Sequence, residues 1–142
     1  MNEYRIDDIE VGMAASFTKV ITREMEDGFR AISGDENPLH WNDDFAAEAS
    51  NGRFSGHVTF GLLTASFYST LAGMYLPGKY SLIHSFEELS FLKPVYIGDE
   101  LLLQAVVVEK NKALNLIRVK ADIRNQRGQV VSRAKLKILV LK

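Results

Sequence analysis

The chain has 142 residues, 46% hydrophobic and 25% charged, with no cysteine and a net charge of −1. Such a length and balance suit one soluble domain with its own core, and the missing cysteine excludes disulfides, thiolate nucleophiles and cysteine-based metal sites. The opening MNEYRIDDIEVGM is acidic and lacks an apolar h-region, so it does not read as a secretory signal and a cytoplasmic location is the default expectation.

In chain order, Ala15 to Ile21 reads as a first strand and about Thr22 to Ile32 as a helix. Glu24, Glu26 and Asp27 suit its first turns, although Thr22 with Met25 lacks a capping box. Met25, Phe29 and Ile32 recur at helical spacing, and Ser33-Gly34 supplies the stop. Asn37 precedes Pro38 and is expected to be extended. Asn42 is a good N-cap for a short helix near Asp43 to Glu48.

No charge occurs between Arg53 and Lys79, a run long enough to span a bilayer. It nevertheless carries Ser55, His57, Thr59, Thr64, Ser66, Tyr68, Ser69 and Thr70, with glycines at 56, 61, 73 and 78. It therefore reads as one long central helix, about Val58 to Tyr75, buried in a soluble domain rather than in lipid. Beyond Pro77-Gly78 the pattern turns to period two, and strands are expected at Ser81 to Leu92, Glu100 to Lys110, Asn115 to Arg124 and Val130 to Leu141. No linker or repeat interrupts the chain, so residues 1–142 read as one α+β domain, a buried helix followed by an antiparallel meander.

Charge is unevenly placed. Residues 1–108 hold 7 Lys/Arg against 16 Asp/Glu, and residues 109–142 hold 10 against 2. Arg118, Lys120 and Arg124 share one face of their strand, and Arg133, Lys135 and Lys137 share one face of the next. They are expected on the outer side of the sheet, first as a solvated face and alternatively as a binding patch for an anionic partner.

The chemistry concentrates in ISGDENPLHWNDDF, where Asp35, Asn37, Pro38 and His40 follow the end of a helix. A carboxylate and an imidazole can together hold one water, remove its proton and return a proton to a substrate. Reversible hydration of a double bond conjugated to a carbonyl needs that pair, together with fixed donors for the developing enolate. The start of the central helix near Phe60-Gly61 offers such amides, and Gly61 permits close approach to its backbone. On spacing alone, a capped turn around Asp35 and a satisfied histidine beside Trp41 account for these residues equally well. An EF-hand fails at Leu39 and His40; His40, His57 and His84 lack zinc-ligand spacing; GRFSGHVTFG lacks the ending of a phosphate loop.

SGDENPLHWNDDFA, GRFSGHVTFGLLTASFYSTLAGMYLPG and FLKPVYIGDEL, in that order, resemble the MaoC-like, (R)-specific enoyl-CoA hydratase group of hotdog-fold proteins. The resemblance runs from about Ile32 to Leu101. It implies a hotdog fold, an antiparallel sheet wrapped around a long central helix, with Asp35 and His40 as the catalytic pair. It further implies an oxyanion amide at Gly61, a helix serine at Ser69, and substrate-binding positions at Asn37 and Phe60. The group usually has His-Gly where this chain has Phe60-Gly61, which implies altered pocket packing or substrate preference. The expected reaction is water addition to a trans-2-enoyl thioester, or dehydration of an (R)-3-hydroxyacyl thioester. It requires no metal or redox cofactor; coenzyme A or the phosphopantetheine of an acyl carrier protein belongs to the substrate. The alternative is a hotdog acyl-thioester binding protein or thioesterase, but a thioesterase should carry a carboxylate on the central helix and none lies between Phe54 and Gly78. Nucleic-acid binding lacks interleaved exposed aromatics, and a membrane role is not expected. A lone domain of this kind leaves a sheet edge, so a homodimer is expected.

Overall fold

The computed structural model describes residues 1–142. Strands β1 (Ala14–Val20), β2 (Ser81–Phe91), β3 (Glu100–Asn111), β4 (Leu116–Arg124) and β5 (Val130–Val140) form one antiparallel sheet in the order β1-β3-β4-β5-β2. Helices α1 (Arg23–Ser33) and α2 (Asp43–Ala49) follow β1, and α3 (Gly61–Thr70) precedes β2.

Period-two patterning builds the sheet. Leu101, Leu103, Ala105 and Val107 of β3 are buried, as are Val119, Ala121 and Ile123 of β4 and Ala134, Leu136 and Ile138 of β5. Register places Val107 beside Val119 and Val119 beside Leu136, so successive inner positions meet across the strands. These side chains share one apolar core with Leu63, Phe67, Tyr68 and Leu71 from the helical segment. Having no charge to solvate, that segment can be buried between sheet and loops. Tyr68 is fully buried, its hydroxyl donates to Ser132 Oγ at 2.9 Å, and burial pushes the phenol up to about 12.

The central helix is shorter than expected. Residues 58–60 lie outside the helix, with Thr59 N–H donating to Val95 O at 2.7 Å, and beyond Thr70 the chain widens into a π-helical turn at Leu71–Tyr75. Nor is it buried all round, because Leu62, Ser66 and Ser69 form an exposed stripe. No helix is long and apolar enough to cross a membrane. The N-terminal residues close against this region, with Asn2 N–H donating to Met74 O. Gly78, at φ +92°, has Asn2 O 2.1 Å from where a side chain would begin, so only glycine fits there.

Helix α1 starts and stops where its sequence indicates. Thr22 Oγ1 caps the Met25 amide without a capping box, and Gly34 ends the helix at φ 71°. Met25 and Phe29 pack against the core as expected, but Ile32 is 88% exposed, and the buried position on this face is Glu26, 4% exposed.

Candidate functional site

Residues 35–42 are shaped by short polar side chains folding onto their own backbone. Asp35 Oδ1 accepts from Asn37 N–H, and Asn37 Oδ1 accepts from Leu39 N–H, both at 3.0 Å. Pro38, its φ already helical, opens a single 3₁₀ turn, Pro38–His40. Asn42 Oδ1 then accepts from Phe45 N–H and starts α2. Trp41 Nε1 donates to Glu36 O, while Arg30 pairs with Glu36 and lies over the Trp41 ring. The turn is thus held from both sides, with Asp35 exposed and His40 half-buried.

His40 is fixed by residues 58–60. Val58 N–H donates to Leu39 O at 3.1 Å, and His40 Nδ1 lies 2.8 Å from Val58 O. A carbonyl only accepts, so Nδ1 carries the hydrogen and Nε2 keeps its lone pair in the neutral ring. The imidazole stacks on Phe60 with centroids 4.1 Å apart, and Phe60 packs in turn on Phe29.

A cavity of about 400 Å³ opens beside this ring. His40, Val58, Gly61, Thr64, Phe91 and Lys93 are among its lining residues, and its wall is chiefly apolar. At the start of α3, Phe60 offers no side-chain cap, and the amides of Gly61 and Leu62 have no backbone partner. Thr64 Oγ1 donates back to Gly61 O at 2.7 Å. A side chain at Gly61 would begin 3.1 Å from the Phe91 ring, so the glycine lets that ring close over the helix start.

The expected residues therefore separate into two groups. His40 and Gly61 line one cavity. Asp35 and Asn37 sit on the adjoining turn, where Asn37 acts through its capping bond and Asp35 uses one carboxylate oxygen within the turn. Phe60 is buried and does not line the cavity; it backs the His40 ring. Ser69 is exposed two turns along α3 and does not line the cavity either, whereas Thr64, one turn from Gly61, does. Phe91 and Lys93 were not legible as lining residues, because β2 and the loop after it reach the helix start only through the fold. A larger concavity of about 670 Å³ on the sheet, bordered by Lys120, Asp122 and Arg133, contains none of these residues.

Sequence reasoning weighed His57 only as a metal ligand and gave it no other role. Its ring lies between Asp43 and Glu26, and the buried Glu26 further accepts from Thr59 Oγ1 at 2.6 Å. The readable signal was the position of Glu26, which falls on the same side of α1 as Met25 and Phe29. No group of three side chains converges as metal ligands.

A family model described as MaoC like domain matches residues 8–128. An (R)-specific enoyl-CoA hydratase from Aeromonas caviae is 39% identical over 99 residues, covering 70% of this chain and 71% of that protein. A 3-hydroxybutyryl-CoA dehydratase from Methylorubrum extorquens is 35% identical over 103 residues; the match covers 72% of this chain but only 63% of the relative. The solved structure of an (R)-hydratase from A. caviae involved in PHA biosynthesis superposes with a TM-score of 0.85 at 31% identity, over 93% of this chain and 97% of that one. The fold is thus the hotdog-like α+β arrangement, and the chain belongs to the MaoC-like domain family.

Proposed function

We infer that the protein is a hydro-lyase that adds water to trans-2-enoyl thioesters to give (R)-3-hydroxyacyl thioesters, and catalyses the reverse dehydration. The observation that carries this reading is the His40 ring, locked through Nδ1 with its other nitrogen unpaired, beside a cavity that Gly61 also lines. Nε2 of His40 and the carboxylate of Asp35 would hold one water, remove its proton and return a proton to Cα as the water oxygen bonds to Cβ. Charge then moves to the thioester oxygen, where the unpaired amide of Gly61 is the donor. The apolar remainder of the wall suits an acyl chain. Residues 1–142 act as a single domain in this reading.

The A. caviae and M. extorquens relatives bear the names of enzymes acting on coenzyme A thioesters, which supports the same substrate class here. An acyl carrier protein thioester presents the same phosphopantetheine arm. A homodimer is supported by the exposed Leu82, Phe86 and Phe91 on β2, one of the two edge strands of the sheet, and by Leu62 on α3. The edge lies beside the cavity through Phe91, so the pocket is expected at or near the subunit interface.

Steady-state assays with crotonyl, hexenoyl and longer enoyl thioesters on both carriers test the reading. Formation of the (R)-3-hydroxy product supports it, and failure to hydrate any of them refutes it. Light scattering at micromolar concentration tests the dimer.

A further inference from the structure

His57 joins three parts of the chain at one ring. Nδ1 is 2.6 Å from Asp43 Oδ1 on α2, and Nε2 is 3.0 Å from Glu26 Oε2 on α1. Oxygens of an ionised carboxylate only accept, so the arrangement suits a ring with hydrogens on both nitrogens, an imidazolium. The same Asp43 oxygen accepts from the His57 backbone N–H at 2.9 Å, and Glu26 Oε1 accepts from Thr59 Oγ1 at 2.6 Å. Residues 57 and 59 are both anchored, and between them lies Val58, whose carbonyl holds His40.

We propose that His57 is a positioning residue: clamped as a cation between Glu26 and Asp43, it fixes the Val58 carbonyl and through it the tautomer and direction of the His40 ring. The proposal deepens the hydratase reading, on which its kinetic part rests. Glu26 is buried and the His57 side chain is 12% exposed, so water screens little at that end of the clamp, whereas the Asp43 end is 71% exposed. Removing the proton from the ring would leave a nitrogen lone pair facing a carboxylate oxygen, and one anchor of residues 57–59 would fail.

The charged groups acting on the clamp are Glu26 and Arg23 from α1 and Asp43 from α2. Burial works against the charge on His57, but hydrogen bonds to Asp43 and Glu26 outweigh it and raise its pKa above the ordinary 6.5. Hydrogen bonds from the His57 backbone and ring hold Asp43 below the usual carboxylate value. A raised imidazole value means that its contribution is complete below the ordinary value and is lost as pH rises through the raised one. The lowered Asp43 value means that its contribution is lost only as pH falls through that value. The clamp is therefore closed between these limits and opens on the alkaline side.

The chain has only 3 histidines, so proton–nitrogen NMR can follow each ring, alongside kcat and KM for enoyl-thioester hydration across the same pH range. In the wild type, His57 should titrate above the ordinary ~6.5, and His40 should keep its Nδ1–H tautomer until His57 loses its proton. An alkaline decline in kcat should share the His57 midpoint, with KM little changed. Glu26→Gln keeps the size and an acceptor for Thr59; it should lower the His57 midpoint, shift the alkaline limb with it and reduce kcat about tenfold, short of the ~10²-fold cost of an ångström of misplacement. Asp43→Asn, at the exposed end, serves the same purpose should Glu26→Gln not fold. A His57 ring titrating at or below the ordinary value overturns the proposal, and so does an alkaline limb that stays fixed while the His57 midpoint moves. If the wild type hydrates no enoyl thioester, the proposed function fails; NMR still decides the clamp, because a His40 tautomer indifferent to His57 ionisation overturns it.

Discussion

The sheet and the segment from Asp35 to Gly61 hold their shapes by different means. In the sheet, long ladders of backbone hydrogen bonds are backed by repeated apolar burial, so no single side chain decides the geometry. In the segment, individual polar atoms decide it: Asn37 caps the turn, Asn42 starts α2, and Val58 O orients His40. Core substitutions should therefore cost stability and leave the chemistry, whereas substitutions in the segment should cost chemistry and leave stability.

The sharpest test of that division is the pair itself. His40→Ala and Asp35→Asn should each lower the hydration rate by ~10² to 10⁴, as expected for a general acid or base. Asp35 is exposed, so Asp35→Asn should shift unfolding free energy by no more than about 0.5 kcal/mol. Denaturant titration and initial rates on the same preparations check both halves. A folded variant with wild-type turnover would remove the mechanism.

The converse experiment uses β5. Leu136→Ala deletes a fully buried side chain and should destabilise by about 2–5 kcal/mol. The variant should nevertheless keep wild-type kcat per folded molecule below its unfolding transition. A loss of kcat comparable to that of His40→Ala would show that sheet and site are not separable.

Phe60 stands where the two regions meet, in the apolar core yet stacked on His40. The resemblance implied altered pocket packing or substrate preference at this position. Its place favours packing: buried and absent from the cavity wall, the ring is a backstop for the imidazole. Phe60→His should lower kcat by less than the ~10²-fold of losing an acid/base group, and leave the ranking of acyl chain lengths unchanged. A changed ranking of kcat/KM across a chain-length series would return the ring to the channel.

The same contrast explains what could be read before folding. Alternation along β3, β4 and β5 is a periodic signal with many repeats, and caps such as Asn42 or the Gly34 stop act on near neighbours. Both survive in the one-dimensional record. The His57 clamp does not, since Glu26, Asp43 and His57 lie far apart in sequence and meet only through packing. Ile32 misled for a related reason: its spacing fits the apolar face of α1, but that face is set by what covers it, and Glu26 has the buried partners. Ser69 likewise lies on the central helix, and only the placement of β2 decides which helix positions the cavity reaches.

The smallest effect is expected on the outer sheet face. Lys120 lies opposite Lys135, and Arg118 opposite Lys137, so the basic residues do share a face. The face is less bare than the sequence suggested, because Arg118 pairs with both Glu87 and Glu109, and Arg124 with Asp122. Hydrogen bonds to those glutamates raise the Arg118 pKa further, and Glu87 is lowered in return, chiefly by Arg118. Lys120, Arg133, Lys135 and Lys137 form no ion pair. Exposed charges of this kind act mainly on encounter, and their reach is cut to about 8 Å at physiological salt. If they guide an anionic thioester carrier, kcat/KM should fall with added salt while kcat stays level, and Lys135→Glu with Lys137→Glu should flatten that dependence. The ion pairs already neutralise part of the face, so the expected outcome is a double variant matching wild type at every ionic strength. A steep salt dependence that disappears in the double variant would instead make this face part of substrate capture, and the division between a structural sheet and a chemical segment would no longer hold.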